Sequence, residues 1–71
     1  MTLAEQFGRK LFMERRRLGV SQEALGDMAG LHRSEVGKLE NGKRAPGLVT
    51  IVKLARALGI DPAGLVEGLR P

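Results

Sequence analysis

Four of the ten glycines in this chain of 71 residues divide it into short helical segments. Gly19, Gly30, Gly42 and Gly59 each follow a stretch whose apolar residues recur at the three- and four-residue spacing of an amphipathic helix. Glycine is common directly after a helix because it adopts the left-handed backbone conformation without steric cost. Since no stretch alternates like a β-strand, the sequence predicts an all-α fold.

Polar residues mark where the predicted helices begin. Thr2 and Glu5 have the spacing of a capping box, Ser21 is a favoured N-cap, and Asp61 precedes a proline at the start of a fifth helix. His32 takes the N-cap position of the third helix, although imidazole caps less well than a hydroxyl. The predicted helices cover roughly residues 2–17, 22–29, 33–40 and 48–58, followed by a short segment from residue 62.

Apolar stripes on two of these helices supply most of the predicted core. In the first helix Leu3, Phe7 and Leu11 recur at spacing four, and Leu18 continues the stripe. The second helix has barely two turns, which is too short for stability in isolation, so tertiary packing must hold it. The fourth helix has the strongest periodicity in the chain, with apolar positions Leu48, Ile51, Val52, Ala55 and Leu58.

The composition argues against several kinds of site. The chain has no cysteine and a single histidine, so we expect no disulfide, no metal and no cofactor. Glu40 and Asp61 are catalytic candidates by residue type only, because no nucleophile–base pair accompanies them, and we do not expect an enzyme. No apolar run of about 18 residues is present, and the start of the chain lacks a signal-peptide pattern. We therefore expect a cytoplasmic protein without a membrane span.

The charge points to a polyanionic partner. Twelve Lys and Arg residues outnumber eight Asp and Glu residues, which gives a net charge of +4. Residues 1–20 carry five basic and two acidic groups, and residues 33–44 carry four and two. The intervening residues 21–32 carry only Glu23 and Asp27 as charged groups. A fold that brings the two basic blocks onto one face would create a surface for nucleic acid.

The connection between the second and third helices has the length of a helix–turn–helix. Gly30 suits the left-handed position in such a turn, and the second helix of the motif can enter a major groove. The outward face of that helix would present Arg33 and Lys38, which match the acceptors of guanine, and Ser34, which suits several base edges. Gly37 would allow close approach to DNA. A solvated polar face without a ligand is the alternative that this pattern leaves open.

Three motifs carry a resemblance to a known family. They are Ser-Gln-Glu at 21–23, Leu-Glu-Asn-Gly-Lys-Arg-x-Pro at 39–46 and Leu-Ala-x-Ala-Leu-Gly at 54–59. Together they resemble the phage-repressor, or Cro/C1-type (XRE), helix–turn–helix family. The resemblance extends over nearly the whole chain, from about Phe7 to Leu69.

The resemblance implies a fold and a partner. The fold is a single five-helix, lambda-repressor-like DNA-binding domain over residues 1–71, with the helix–turn–helix motif at about residues 21–41. The partner is double-stranded DNA. Arg15 and Glu40 match a family ion pair between the first helix and the end of the third, and that pair is architectural rather than base-reading.

Nine residues match DNA-binding positions of the family. Gln22 would hold a phosphate and brace the third helix. His32 would cap that helix or serve a phosphate, and a plain surface histidine is the alternative. Asn41 would present its amide region to the DNA backbone. The base-reading positions are Arg33, Ser34 and Lys38, with Gly37 beside them, and Lys43 and Arg44 form a basic loop that lies along phosphate or reaches the minor groove.

Three residues depart from the family pattern. Gly26 and Gly37 replace a common alanine and a common serine, which is expected to loosen the motif, and Gly37 puts one expected DNA contact in doubt. Phe12 stands where the family often has arginine. For Phe12 we favour packing in the core over packing against a partner chain or the C-terminal helix.

The expected function is sequence-specific regulation of transcription by a repressor that binds a palindromic operator as a homodimer. Leu65, Val66 and Leu69 form an apolar strip on the last helix and are the predicted dimer interface. Small relatives include restriction–modification controllers, phage-type repressors and antitoxins, and the sequence does not separate them. The alternative is an antitoxin or other protein-interaction module that binds a toxin, and a regulator can also contact RNA polymerase.

Overall fold

The first four helices of the computed structural model, which describes residues 1–71, begin and end within one residue of the predicted positions. Thr2 Oγ1 accepts the amide hydrogen of Glu5 at 3.1 Å, and the Glu5 carboxylate accepts that of Thr2 at 2.7 Å. These hydrogen bonds complete the capping box and lower the pKa of Glu5. The prediction of an all-α fold with five helices is confirmed. The helices are α1 Leu3–Leu18, α2 Gln22–Ala29, α3 Arg33–Glu40, α4 Leu48–Leu58 and α5 Ala63–Val66.

The last helix begins slightly later than predicted. Pro62 precedes α5 instead of forming its first residue, and Asp61 Oδ1 accepts the amide hydrogen of Ala63 at 2.8 Å. With only four residues, α5 depends on packing against the rest of the domain.

The core is one cluster of ten buried apolar side chains, to which all five helices contribute. α3 packs against α1 and α2, α4 packs against α2, and α5 closes one end by packing on α1 and α4. Full burial of a large apolar side chain contributes roughly 1.5–3 kcal/mol, which is how helices of eight residues are held in place. The cluster comprises Phe7, Leu11, Leu25, Ala29, Val36, Leu39, Leu54, Ala55, Leu58 and Leu65.

The predicted apolar stripes are wrong at their ends. Leu3 and Leu18 are 44% and 39% exposed, and Leu48 at the start of α4 is 77% exposed. The spacing-four stripe of α1 continues instead from Leu11 to Arg15, which is buried. Helix ends extend beyond the neighbours that cover their middles, so apolar residues there stay in contact with solvent.

The predicted dimer strip on the last helix needs a correction. Leu65 is fully buried and belongs to the core, and Leu69 is half-buried against the same cluster. α5 covers the end of the core between α1 and α4. This packing buries apolar side chains for which the sequence indicated no partner within the chain. Val66, at 40% exposure, is the member of the strip that faces outward.

Two buried glycines set how closely the helices approach. A Cβ atom at Gly8 would lie 2.3 Å from the carbonyl oxygen of Leu39, and one at Gly26 would lie 2.6 Å from that of Leu31. Both distances are too short for any side chain unless the backbone shifts. The expectation that Gly26 loosens the motif is therefore wrong, because its missing side chain lets the turn after α2 pack tightly against that helix.

This packing predicts opposite outcomes for two glycine-to-alanine substitutions inside helices. Gly8→Ala should destabilise the protein by roughly 1–3 kcal/mol, because overpacking against backbone outweighs the gain in helix propensity of about 1 kcal/mol. Gly37→Ala is the matched control, since its Cβ would meet Gln22 Oε1 at an ordinary 3.5 Å. Thermal denaturation should show a lower melting temperature for the first variant and an unchanged or higher one for the second. Equal stability of both variants would contradict the close-approach argument.

Candidate nucleic-acid interface

α2 and α3 meet in a tight turn that fixes the direction of α3. Gly30 has φ 73°, and the amide of Leu31 donates to the carbonyl oxygen of Gly26 at 2.8 Å. Val36 and Leu39 anchor one side of α3 in the core. The remaining surface of α3 faces solvent, and the predicted base-reading residues Arg33, Ser34 and Lys38 are all exposed on it.

The start of α3 is capped by a histidine. His32 Nδ1 accepts the amide hydrogen of Ser34 at 3.0 Å and lies 2.8 Å from the Ser34 hydroxyl. Because Nδ1 accepts a backbone hydrogen, the proton of the neutral ring resides on Nε2. The imidazole thus caps the helix with one nitrogen and has a second, outward N–H available as a donor.

An ion pair that sequence reasoning missed joins the two helices of the motif. Arg33 Nη1 donates to Glu23 Oε2 at 3.0 Å, and both side chains are 65% exposed. Exposed pairs of this kind contribute about 0–1 kcal/mol, so the contact orients the arginine without locking it. The two residues are ten positions apart on different helices, and no one-dimensional spacing rule connects them.

A buried cluster ties α1 to the end of α3. Arg15 Nε lies 2.6 Å from Glu40 Oε2, Nη2 donates to Oε1 at 3.0 Å, and Nη1 donates to the carbonyl oxygen of Val20 at 2.9 Å. Arg15 is 8% exposed. Hydrogen bonding to Glu40 raises the pKa of Arg15 against the opposing effect of burial, so the guanidinium stays charged. The ion pair implied by the resemblance is present, and it is bidentate.

Gln22 belongs to the same cluster. Its Nε2 donates to Glu40 Oε1 at 3.0 Å, which fixes the first residue of α2 to the last residue of α3. Its amide also lies over Gly37, with Oε1 3.5 Å from the position of a Cβ atom there. The Gln22 side chain therefore lies next to the position that a side chain at residue 37 would take, and the expectation that Gly37 allows close approach of DNA stays a prediction.

Phe12 does not pack in the core as expected. It is 42% exposed, and its ring lies beneath the guanidinium of Arg15, with the centroid 5.4 Å from Cζ. The ring covers the outer side of the ion pair at a distance typical of cation–π contact. A large aromatic residue on α1 is thus used to cover a charged group instead of filling the apolar interior.

The residues after α3 form an exposed basic segment. The backbone amide of Asn41 donates to the carbonyl oxygen of Gly37 at 3.0 Å, so only its side-chain amide is free for a ligand. Lys43 and Arg44 are exposed, and neither has a carboxylate within 4 Å. Lys38 on α3 is likewise unpaired. These three uncompensated cations lie on α3 and immediately after it.

The structure also bears on metals and membranes. It brings no group of three or more His, Asp or Glu side chains into positions that could hold a metal ion. None of its helices has the length and apolar character needed to cross a membrane.

These features define a class of protein. A short helix, a glycine turn and a second helix with a buried apolar side and an exposed basic, hydrogen-bonding side form the helix–turn–helix of DNA-binding proteins. The comparisons with known proteins give the family. The helix-turn-helix family model matches residues 11–65, and the chain belongs to that family, the Cro/C1-type (XRE) DNA-binding transcription regulators, which are not enzymes.

Several relatives share this domain. The restriction-modification controller protein C.AhdI from Aeromonas hydrophila superimposes with a TM-score of 0.85 at 47% identity, covering 87% of this chain and 94% of C.AhdI. The P22 c2 repressor, in complex with a synthetic operator, gives 0.80 at 27% identity, covering 87% and 94%. The prophage-derived HTH-type transcriptional regulator YonR of Bacillus subtilis is 39% identical over 62 residues. Those residues are 87% of this chain but 57% of YonR, so the chain spans little more than half the length of that relative.

The buried ion pair predicts a large effect on stability. Arg15→Ala leaves the Glu40 carboxylate buried without its cation, which costs about 3–5 kcal/mol. For a domain of this size that lowers the melting temperature by roughly 4–8 °C per kcal/mol. Arg17→Ala is the control, because its 2.8 Å pair with Glu14 is exposed and the loss should stay within about 1 kcal/mol. An Arg15→Ala protein that melts like the wild type and loses DNA binding would make Arg15 a DNA contact instead.

Proposed function

We propose that this protein is a transcriptional repressor that binds a palindromic DNA operator as a homodimer, with α3 of each subunit in the major groove of one half-site. The observation that carries the proposal is the exposed surface of α3, which presents Arg33, Ser34 and Lys38 to solvent. The domain's likeness to the P22 c2 repressor, whose structure was solved on an operator, supports the same orientation. Such a regulator acts in the cytoplasm.

Different residues have different tasks in this proposal. Arg33 stands at the first position of α3, where helices inserted in the major groove meet base edges, and its fork of N–H donors matches guanine O6 and N7. Lys43 and Arg44 lie beyond the helix and neutralise phosphates without reading sequence. His32 donates from Nε2, and Asn41 donates from its side-chain amide, to the DNA backbone. Gln22 uses the amide hydrogen not given to Glu40 for a phosphate.

The proposed dimer interface lies around Val66. An apolar groove of about 180 Å³ runs beside this residue, and the start of α4 adds two strongly exposed side chains, Leu48 and Val49, at 77% and 67%. Exposed apolar side chains beside an apolar groove are typical of association sites. Two half-sites bound together also compensate for the limited contact that one two-turn helix can make. The groove is lined by Leu3, Ala4, Phe7, Ala45, Pro46, Ile51, Val66 and Leu69.

The proposed interface predicts the effect of one charged substitution. Val66→Glu should leave the fold intact but convert the dimer to a monomer, because the interface would bury an unpaired carboxylate. Met28→Glu on α2 is the matched control, since Met28 is 50% exposed on another helix and should tolerate the charge. Sedimentation at tens of micromolar distinguishes the two variants. A wild-type protein that stays monomeric there, with and without DNA, would contradict the proposal.

Base reading and backbone holding are separable by substitution. Arg33→Ala should cost about 1–3 kcal/mol at one base pair per half-site, which reduces the preference for the operator over single-base variants. Lys43→Ala should weaken binding to every duplex alike and reduce the dependence of log Kobs on log salt by about one per contact. Measuring both variants on the operator and on single-base variants at several salt concentrations tests the assignment. If Arg33→Ala weakens all sequences equally, Arg33 holds phosphate and Lys38 becomes the leading base reader.

A further inference from the structure

Three consecutive arginines lie in the last turn of α1, and their charges are not equivalent. Arg15 is paired with Glu40 in the interior, and Arg17 is paired with Glu14 at 2.8 Å. Arg16, between them, is exposed and has no carboxylate within 4 Å. The structure therefore leaves one uncompensated guanidinium at the end of α1, outside the residues that the helix–turn–helix motif assigns to DNA.

The guanidinium of Arg16 lies over an aromatic ring. Arg16 Cζ lies 5.6 Å from the centroid of the Phe12 ring, one helical turn earlier on α1. A cation–π contact at this distance restrains the side chain without using any of its N–H donors. This explains why a large aromatic side chain remains 42% exposed on a domain with only two phenylalanines.

The ring borders the interface described above. Phe12 lines a polar groove of about 290 Å³ together with Asn41 and Glu40. The ring also contacts Arg15. Arg15 binds Glu40, and Glu40 in turn accepts a hydrogen bond from Gln22. A run of contacts therefore leads from Arg16 through Phe12, Arg15 and Glu40 to Gln22, and Asn41 lines the same groove as Phe12. Gln22 and Asn41 are the two residues proposed to hold phosphate at this edge of the motif.

We propose that Arg16, positioned by Phe12, binds a backbone phosphate of DNA at the edge of each half-site, an inference that rests on the proposed function. The contact adds affinity for any duplex and carries no sequence information, because phosphates are the same at every base pair. It extends the interface from α3 and the loop after it to the end of α1.

The test compares salt dependence across a matched set of variants. Arg16→Gln should reduce the slope of log Kobs against log salt by about 0.9 per half-site, and thus by about 1.8 for a dimer. When KCl is raised from 50 to 200 mM, the factor by which Arg16→Gln loses affinity should be roughly tenfold smaller than the factor for the wild type. The operator and an unrelated duplex should be weakened by the same factor. Arg17→Gln is the control and should change the slope much less, because Glu14 already compensates that charge.

Phe12→Leu separates the role of the ring from that of the charge. It keeps apolar bulk and the fold but should weaken binding to all duplexes, and in an Arg16→Gln background it should have no further effect. Melting temperatures of Arg16→Gln and the wild type should agree. A lowered melting temperature, or an unchanged salt slope, overturns the proposal. An unchanged salt slope for Arg16→Gln, together with lost base discrimination for Arg33→Ala, overturns only the Arg16 contact. A wild type that binds no duplex overturns the proposed function as well.

Discussion

The buried ion pair between Arg15 and Glu40 determines how the parts of this small domain meet. A charged pair out of water is costly unless its remaining hydrogen-bonding groups are satisfied. Here Val20 supplies a carbonyl oxygen to the arginine and Gln22 supplies an amide to the glutamate, and no buried side-chain polar atom lacks a partner. One carboxylate thereby joins α1, the start of α2 and the end of α3. The geometry of the proposed DNA-binding surface depends on that junction.

The rest of the motif is held by close packing. α2 and α3 have eight residues each, and neither length is stable in isolation. Gly26 lets the backbone at Leu31 approach α2, and Gly8 lets the backbone at Leu39 approach α1, where any larger residue would clash. Val36 and Leu39 bury the apolar side of α3 in the core. A helix held this way keeps the backbone positions from which its exposed side chains extend fixed. Rigidity of the backbone is what allows one short helix to distinguish base edges.

Local features of the fold could be predicted from the sequence, and features that depend on helix crossing could not. Helix ends follow from neighbouring residues, as Thr2 with Glu5 and His32 with Ser34 illustrate. Leu65 is buried and Leu48 is exposed because only Leu65 has neighbouring elements packed over it. The periodicity of apolar residues does not carry that information.

The candidate site divides in the same way. The residues that face outward from α3 could be identified from spacing, because the buried positions of that helix are its apolar ones. The partners of these residues could not be identified. Glu23 with Arg33 and Gln22 with Glu40 are 10 and 18 positions apart and meet only when α2 and α3 pack. The Arg15–Glu40 pair was available from the family resemblance alone.

The proposed function requires that α3 of each subunit reads one half of a symmetric operator. Selection of bound duplexes from a random pool, performed with the wild type and with Arg33→Ala, tests this claim most directly. We expect a two-fold symmetric consensus for the wild type, with loss of preference at one base pair in each half for the variant. Enrichment of no sequence, or of a consensus without symmetry, would contradict it.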